Sequence, residues 1–543
     1  MITVPPNPQG HFVPSGAVRP ASKALLDALA HLDTPFAVVR TADGLGVADK
    51  GQAVLGDAGP EPKGALPLLA WVGALPPERL GDPAFNATYG TRYAYVAGEM
   101  ANGIGSVEMV VAMARAGMIG FFGAGGLPFE RVEQAIDRIQ AEVGDLPYGF
   151  NLIHTPQEPA HEQAIVDLYL QRGVRVVCAA AFLKLTPMVV QYRVAGLSQG
   201  PNGKVVIANR LLAKVSREET ALPFMRPAPA DILKKLVDQK RITAAQAKLA
   251  ARVPMCDDVT AEADSGGHTD NRPSLVLMSL MAQARDRVQH EHNYETPVRV
   301  GAAGGIGSPI GAAGAFATGA AYIVTGSVNQ ACLEAGTSPM AKMMLADAAA
   351  TDVDMAPASD MFEAGVKLQV LKRGTMFSRR AEKLWELYRT YDGLDKIPAD
   401  ERLKIEKTVL GRPVADIWAD CEAFFGERDP AQLARAAKEP KHKMALVFRW
   451  YLGMSSRWAI AGDESRKMDL QVWCGPAIGA FNEWTRGTFL AAPSERSVVV
   501  VGANIMAGAA AITRSRWLLA QGIDPGPAAL AWAPRRLVGG VGV

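Results

Sequence analysis

Four glycines within seven residues, Gly301, Gly304, Gly305 and Gly307, follow the apolar run TPVRV and precede Ser308-Pro309. Glycine lets backbone approach a ligand closely, and the free amides at a helix start attract phosphate. Ser is a good N-cap and Pro a good first helical residue, so a helix should open at this point. A dinucleotide-binding fingerprint would need an acidic residue about 20 positions on, where the second strand ends. Here that strand, AYIVTGSVNQ, runs into Gly326 and Ser327 instead. Two successive strands that each end in a glycine loop describe the phosphate site after the last two strands of a (β/α)8 barrel. Gly304, Gly305, Gly307, Gly326 and Ser327 are its candidate residues.

A second constellation is EADSGGHTDN, residues 262–271. Gly266-Gly267 relieve backbone crowding before His268, whose imidazole would stand at a strand end and can exchange a proton near neutral pH. His154, His161 and His442 have no such setting and read as structural. Polar residues at other strand ends complete the set: Asn102 in GEMANGIG, Asn151 in GFNLI and Lys214 in LLAKVS. Singly, an Asn in such a place is often a turn former. Together, amide and ammonium at one mouth can bond the carbonyls and N1 region of a flavin.

These residues need elements to hold them. From about residue 90, short apolar runs alternate with amphipathic helical patterns, the mark of a parallel sheet covered on both faces. About eight such strands precede residue 330, which fits an α/β TIM barrel better than an open sheet. The expected organisation is an N-terminal module of modest order over 1–88 and the barrel over 89–338. A helical insertion near 217–254 should hold a helix, a turn and a second helix capped by Thr243. Charged helical phrases predict a mostly helical region over 339–490. A Pro/Arg-rich tail, 491–543, has no assigned role.

Composition narrows the partners. Lys plus Arg is 57 against 55 for Asp plus Glu, which gives no reason to expect nucleic acid or an anionic membrane. Five scattered cysteines without zinc-like spacing suit a reduced, cytoplasmic protein. The opening MITVPPNPQGHF lacks the pattern of a secretory signal. Neither the uncharged run between Arg299 and Glu334 nor VVVVGANIMAGAAAI, short and interrupted by Asn504, reads as a membrane span. A homodimer stays open.

The phrases GEMANGIGS, GFNLI, SGGH, GAAGGIG and VTGS come in the order seen in nitronate monooxygenases and FMN-dependent enoyl reductases. The longer phrases EADSGGHTDNRP, TGSVNQACLEAGTS, PKHKMALVFRWYLGMSSRWA and DLQVWCGPAIGAFNEW narrow this. Over about 90–490 the chain resembles the PfaD family, the trans-acting enoyl reductases of polyunsaturated fatty acid and trans-acyltransferase polyketide synthases. The resemblance implies FMN in the barrel mouth. Met100, Ala101 and Asn102 would lie by the isoalloxazine, Asn151 and Lys214 at its polar edge, the five loop residues around its phosphate, and His268 near the reacting atoms. It also implies NADPH or NADH as a transient hydride donor and an acyl carrier protein as partner. Arg379, Arg380, Lys441 and Lys443 are candidate contacts for an acidic carrier. Two rival readings are a nitronate monooxygenase and a non-catalytic docking protein of a synthase.

Overall fold

The computed structural model describes residues 8–56, 62–156 and 158–536. The start of the N-terminal segment (1–7) and the end of the tail (537–543) lie outside the described residues.

Eight parallel strands close into a barrel: β1 (Tyr95–Ala97), β2 (Ile119–Phe122), β3 (Gly149–Ile153), β4 (Val176–Ala180), β5 (Arg210–Val215), β6 (Asp258–Glu262), β7 (Arg299–Ala303) and β8 (Ile323–Thr325). The TIM barrel expected from the sequence is thus the observed fold. Its helices carry the expected patterns. In Phe129–Val143 the buried positions are Val132, Ala135, Ile136, Ile139 and Val143, one face of a 3.6-residue period. Ser308 caps Pro309–Ala317 through the Gly311 amide. One strand phrase needs dividing. In KVVIANRLLAKVS, Val205–Ile207 pairs with Leu197–Gln199 in a separate ribbon, and Arg210–Val215 alone joins the barrel. The interval 217–254 holds three helices where two were expected: Glu218–Met225, Ala230–Asp238 and Ala244–Ala250. The last opens on a reciprocal capping box between Thr243 and Gln246.

A short helix, Pro83–Tyr89, plugs the end of the barrel where the strands begin. Phe85 stacks on Tyr322 at 4.3 Å, and the Tyr89 hydroxyl donates to Asp258. Asp258 is fully buried and receives both Nε and Nη2 of Arg299, at 2.7 and 2.8 Å. With Phe121, Cys178 and Leu212 also turned inward, the axis is packed and a ligand has only the opposite mouth.

The N-terminal module is more ordered than its composition suggested. Six antiparallel strands between Gly10 and Val72 form one sheet, with helix Ala21–Ala30 packed against it. The alternation in PFAVVR and LPLLAWV is visible in isolation; what fills the far side is not. That filler is the C-terminal part of the chain, which supplies Leu518 and Ile523 to the module's core.

Val498–Ala520 is one helix of 23 residues, which corrects the expectation that its apolar run is short and broken at Asn504. Asn504 continues the helix, donating to Val500 O, and also bonds the Arg535 backbone in both directions. By length and composition this helix could cross a membrane, but 83% of its apolar window is buried inside the protein. It packs between Pro309–Ala317 and Val107–Arg115, the place where a barrel's eighth helix belongs. Gly508 makes this possible, since a Cβ there would stand 2.6 Å from Pro309. Residues 326–497 therefore intervene between the last strand and the helix that completes its βα unit.

That intervening region has its own core. Leu368, Val370, Phe377, Leu384, Phe448, Tyr451 and Leu452 pack together, drawn from strand Lys367–Leu371 and from helices Phe377–Thr390 and Pro440–Ala461. It sits over the barrel mouth as a cap.

Candidate functional site at the barrel mouth

Alternation along a strand decides which side chains enter the mouth. Leu212 and Thr260 face the barrel interior, so two residues on Lys214 and Glu262 do the same, one layer nearer the rim. Lys214 Nζ meets Glu262 Oε1 at 2.7 Å and Glu99 Oε1 at 3.4 Å. Burial alone would pull the lysine pKa down, but Glu262 and Glu99 outweigh it and hold it above the usual range. Lys214 is a fixed cation at the bottom of the mouth.

Asn151 is buried in β3, with its Nδ2 donating to the Cys178 carbonyl at 3.4 Å. Met100, Ala101 and Asn102 form a half-buried turn after β1. Asn102 takes a left-handed conformation at φ 59°, which Asn tolerates better than most residues. Its amide donates to Gly125 O at 2.7 Å, and the Gly103 amide to Gly123 O at 2.9 Å. The first two strand-end loops are thereby locked together, and a side chain at Gly126 would collide with Asn102 Oδ1.

The glycine loops divide by role. Gly304 turns at φ 80° with its α-carbon against the Ala263 backbone, where a Cβ would sit 2.7 Å away. At Gly305 and Gly326 a Cβ would meet open space. Gly307 lies under the cap, where a Cβ would run into the Ala477 carbonyl oxygen. The Ser327 hydroxyl accepts from the Gly475 amide at 2.9 Å. Gly305 and Gly326 thus outline a cradle beside the start of Pro309–Ala317, while Gly307 and Ser327 also fasten the cap.

His268 is placed by a sheet, not by its barrel strand alone. Gly267-His268 pairs antiparallel with Gln369 and Leu368, and the same strand pairs with Val353–Pro357. Gln369 Nε2 also donates to Asp264 Oδ1 and Ser265 O, both at 2.8 Å. The His268 ring is half exposed, with Nε2 3.2 Å from Asp360 Oδ1. Burial lowers its pKa, but the bond to Asp360 and that charge outweigh it and leave the imidazole more basic than usual. Lys214 and Glu262, on the neighbouring rim of the mouth, act on the ring with opposite signs. Two of the histidines read as structural have fixed partners: His154 bonds buried Glu162, and His442 bridges Glu363 and Gln432.

Every sequence-derived site residue lies at this mouth. Glu99, Glu262, Asp360 and Gly475 are additions. Glu99 and Glu262 each lie in a phrase already singled out, and a carboxylate at a strand end level with Lys214 was the available signal. Asp360 and Gly475 belong to the cap, 57 and 172 residues beyond the end of β7, and nothing local marks them. Of the four basic residues proposed for carrier contact, Arg380 is corrected. It pairs with buried Asp469 inside the cap, whereas Arg379 is exposed.

The donor set suits a planar, phosphate-bearing cofactor: an open cradle at Gly305 and Gly326, a fixed ammonium at Lys214, and a buried Ser265 hydroxyl that has no hydrogen-bond partner. FMN fits these residues.

Residues 84–376 match the family model described as nitronate monooxygenase, and 391–470 match that of the helical domain inserted in acyl-carrier-protein S-malonyltransferase. The chain is 49% identical to a polyunsaturated fatty acid synthase polypeptide of Thraustochytrium over 80% of its length, and 44% identical to polyketide biosynthesis protein PksE of Bacillus subtilis over 81%. It spans only 30% and 57% of those relatives. Among solved structures, the enoyl reductase domain of MlnA, from the macrolactin biosynthesis cluster of Bacillus amyloliquefaciens, is similar at 37% identity and a TM-score of 0.78, covering 81% of this chain and 99% of that one.

Proposed function

Since the chain belongs to the nitronate monooxygenase family, among the PfaD-like enoyl reductases of polyunsaturated fatty acid and polyketide synthases, we propose that it is an FMN-dependent enoyl reductase that acts in trans. Its substrate would be an α,β-unsaturated thioester on an acyl carrier protein, with NADPH or NADH as reductant. The observation that carries this reading is the capped mouth, where Lys214, His268 and the open glycine cradle converge.

Bound there, FMN would supply two-electron chemistry, accepting a hydride equivalent from the nicotinamide and passing it to the thioester's β-carbon. Gly304, Gly305 and Gly326 would hold its phosphate through backbone amides, with Gly307 and Ser327 closing the same loop under the cap. Met100, Ala101 and Asn102 would line the ring, and Lys214 and Asn151 its polar edge. His268, kept basic by Asp360, would bond the thioester oxygen or deliver the proton that the α-carbon needs. The cap would shield that exchange from water.

The test is direct. Purified protein should show a flavin visible spectrum, bleach with NADPH and recover colour on addition of enoyl carrier protein. Heat-released FAD, or no flavin after reconstitution, would overturn the cofactor. The family match over 84–376 keeps nitronate oxidation as the second reading, and nitrite release from nitroalkanes would favour it. Similarity to the enoyl reductase domain extends over 81% of the chain, well past that segment, and supports the first.

A further inference from the structure

The charges at the mouth do not balance. Lys214 from β5 stands between two carboxylates, Glu262 at the end of β6 and Glu99 just beyond β1. Among the described residues no second close cation faces Glu99: β4 contributes the Cys178 thiol, whose backbone carbonyl takes the neutral Asn151 amide of β3, and His268 is held by Asp360. With both carboxylates ionised, the cluster would carry one uncompensated negative charge.

The ammonium is not shared evenly. It makes its short bond to Glu262, at 2.7 Å, and stands 3.4 Å from Glu99. The Glu99 side chain is 6% exposed, and its Oε1 is shut off from solvent with no hydrogen-bond partner. A carboxylate stripped of water, with its cation held at the long end of contact by a rival carboxylate, favours its neutral form. The electrostatics agree in direction: burial raises the Glu99 pKa and Glu262 adds to it, Lys214, the Glu99 backbone amide and the Cys178 thiol oppose it, and the net is upward.

We propose that Glu99 is a positioning residue that holds a proton at neutral pH, leaving Lys214 bound to Glu262 and free to meet an anionic ring edge or phosphate-bearing cofactor. Ionised Glu99 would compete for the ammonium and draw it off the Glu262 bond. This inference rests on the flavin reading of the mouth for its consequence, but the protonation itself is independent of it.

Two measurements separate these. In apoprotein, difference infrared spectra should contain the carbonyl stretch of a protonated carboxylic acid, shifted in heavy water and missing in Glu99→Gln. Glu262→Gln gives a second route: the ammonium then has Glu99 as its only close carboxylate, Glu99 ionises, and the band disappears. A wild-type spectrum without the band, or a band that survives both substitutions, overturns the proposal whatever the cofactor is. In FMN titrations, wild-type affinity should weaken by about tenfold per pH unit once Glu99 ionises. Glu99→Gln, an isostere of the neutral acid, should hold low-pH affinity throughout. Equal pH dependence in both proteins overturns the positioning role. Failure of wild-type protein to bind FMN at any pH overturns the flavin reading, and with it the positioning role, while the infrared result still decides the protonation.

Discussion

The Gly475 amide donates to the Ser327 hydroxyl at 2.9 Å across 148 residues of sequence. The cap is therefore fastened to the loop that follows the last barrel strand, so Ser327, proposed for the cofactor's phosphate, also anchors the cap. Gly307, pressed against the Ala477 carbonyl, repeats the arrangement one strand earlier.

The two kinds of loop glycine should respond differently to a methyl group. Gly326→Ala adds a Cβ into open space, so the melting temperature of apoprotein should stay unchanged while FMN affinity drops by about tenfold or more. Gly307→Ala must displace the cap backbone and should cost about 1–3 kcal/mol of stability. Thermal melts of apoprotein beside flavin titrations would separate the cases, and a destabilised Gly326→Ala would contradict the cradle.

His268→Ala should retain FMN and be reduced by NADPH, yet pass hydride to enoyl carrier protein about 10²–10⁴-fold more slowly. Stopped-flow measurement of each half-reaction reads this. If flavin is lost and both halves fail together, His268 holds the cofactor instead.

The His268–Asp360 pair sets a pH window. The His268 pKa is raised, so its protonated form is favoured by folding. Its contribution is complete below the unfolded value of about 6.5 and is lost as pH rises through the higher folded value. Asp360 is held below its ordinary value: burial raises it, but the bond to His268 and that charge prevail. Its share is lost only in acid. Asp360→Asn should move the alkaline fall in turnover to lower pH, and an unmoved pH–rate profile would disconnect the pair from catalysis.

At the closed end of the barrel, Arg299→Met would leave Asp258 buried without its cation. The expected loss is about 3–5 kcal/mol, read from urea unfolding, with the flavin spectrum of the remaining folded fraction unchanged. Asp258 and Arg299 lie on the far side of the packed axis from the mouth.

Carrier docking should depend on exposed charge only. Arg379→Glu is expected to raise KM for enoyl carrier protein at low salt without altering the melt. Arg380→Glu should instead destabilise the cap, because Asp469 is 6% exposed and also receives the Tyr451 hydroxyl. An unchanged KM for Arg379→Glu would count against the docking surface.

Local chemistry made the barrel and much of its mouth legible. Continuous apolar strands, a Ser-Pro helix start and glycines at strand ends are short-range signals, set by hydrogen-bonding geometry within a few residues. They are enough to place His268, Lys214 and the glycine loops on one rim. They do not reveal what each side chain meets there. The Lys214–Glu262 pair depends on strand register, His268–Asp360 on a sheet shared with the cap, and Ser327–Gly475 on the cap's seating. The helix Val498–Ala520 shows the same limit most plainly. Its sequence reads as short, buried structure, yet by length and composition the whole helix also passes for a membrane span, because hydrophobic burial carries no direction and no address. Only the folded chain, by leaving one helix position of the barrel vacant until residue 498, decides that this helix closes the barrel and that its end completes the N-terminal module.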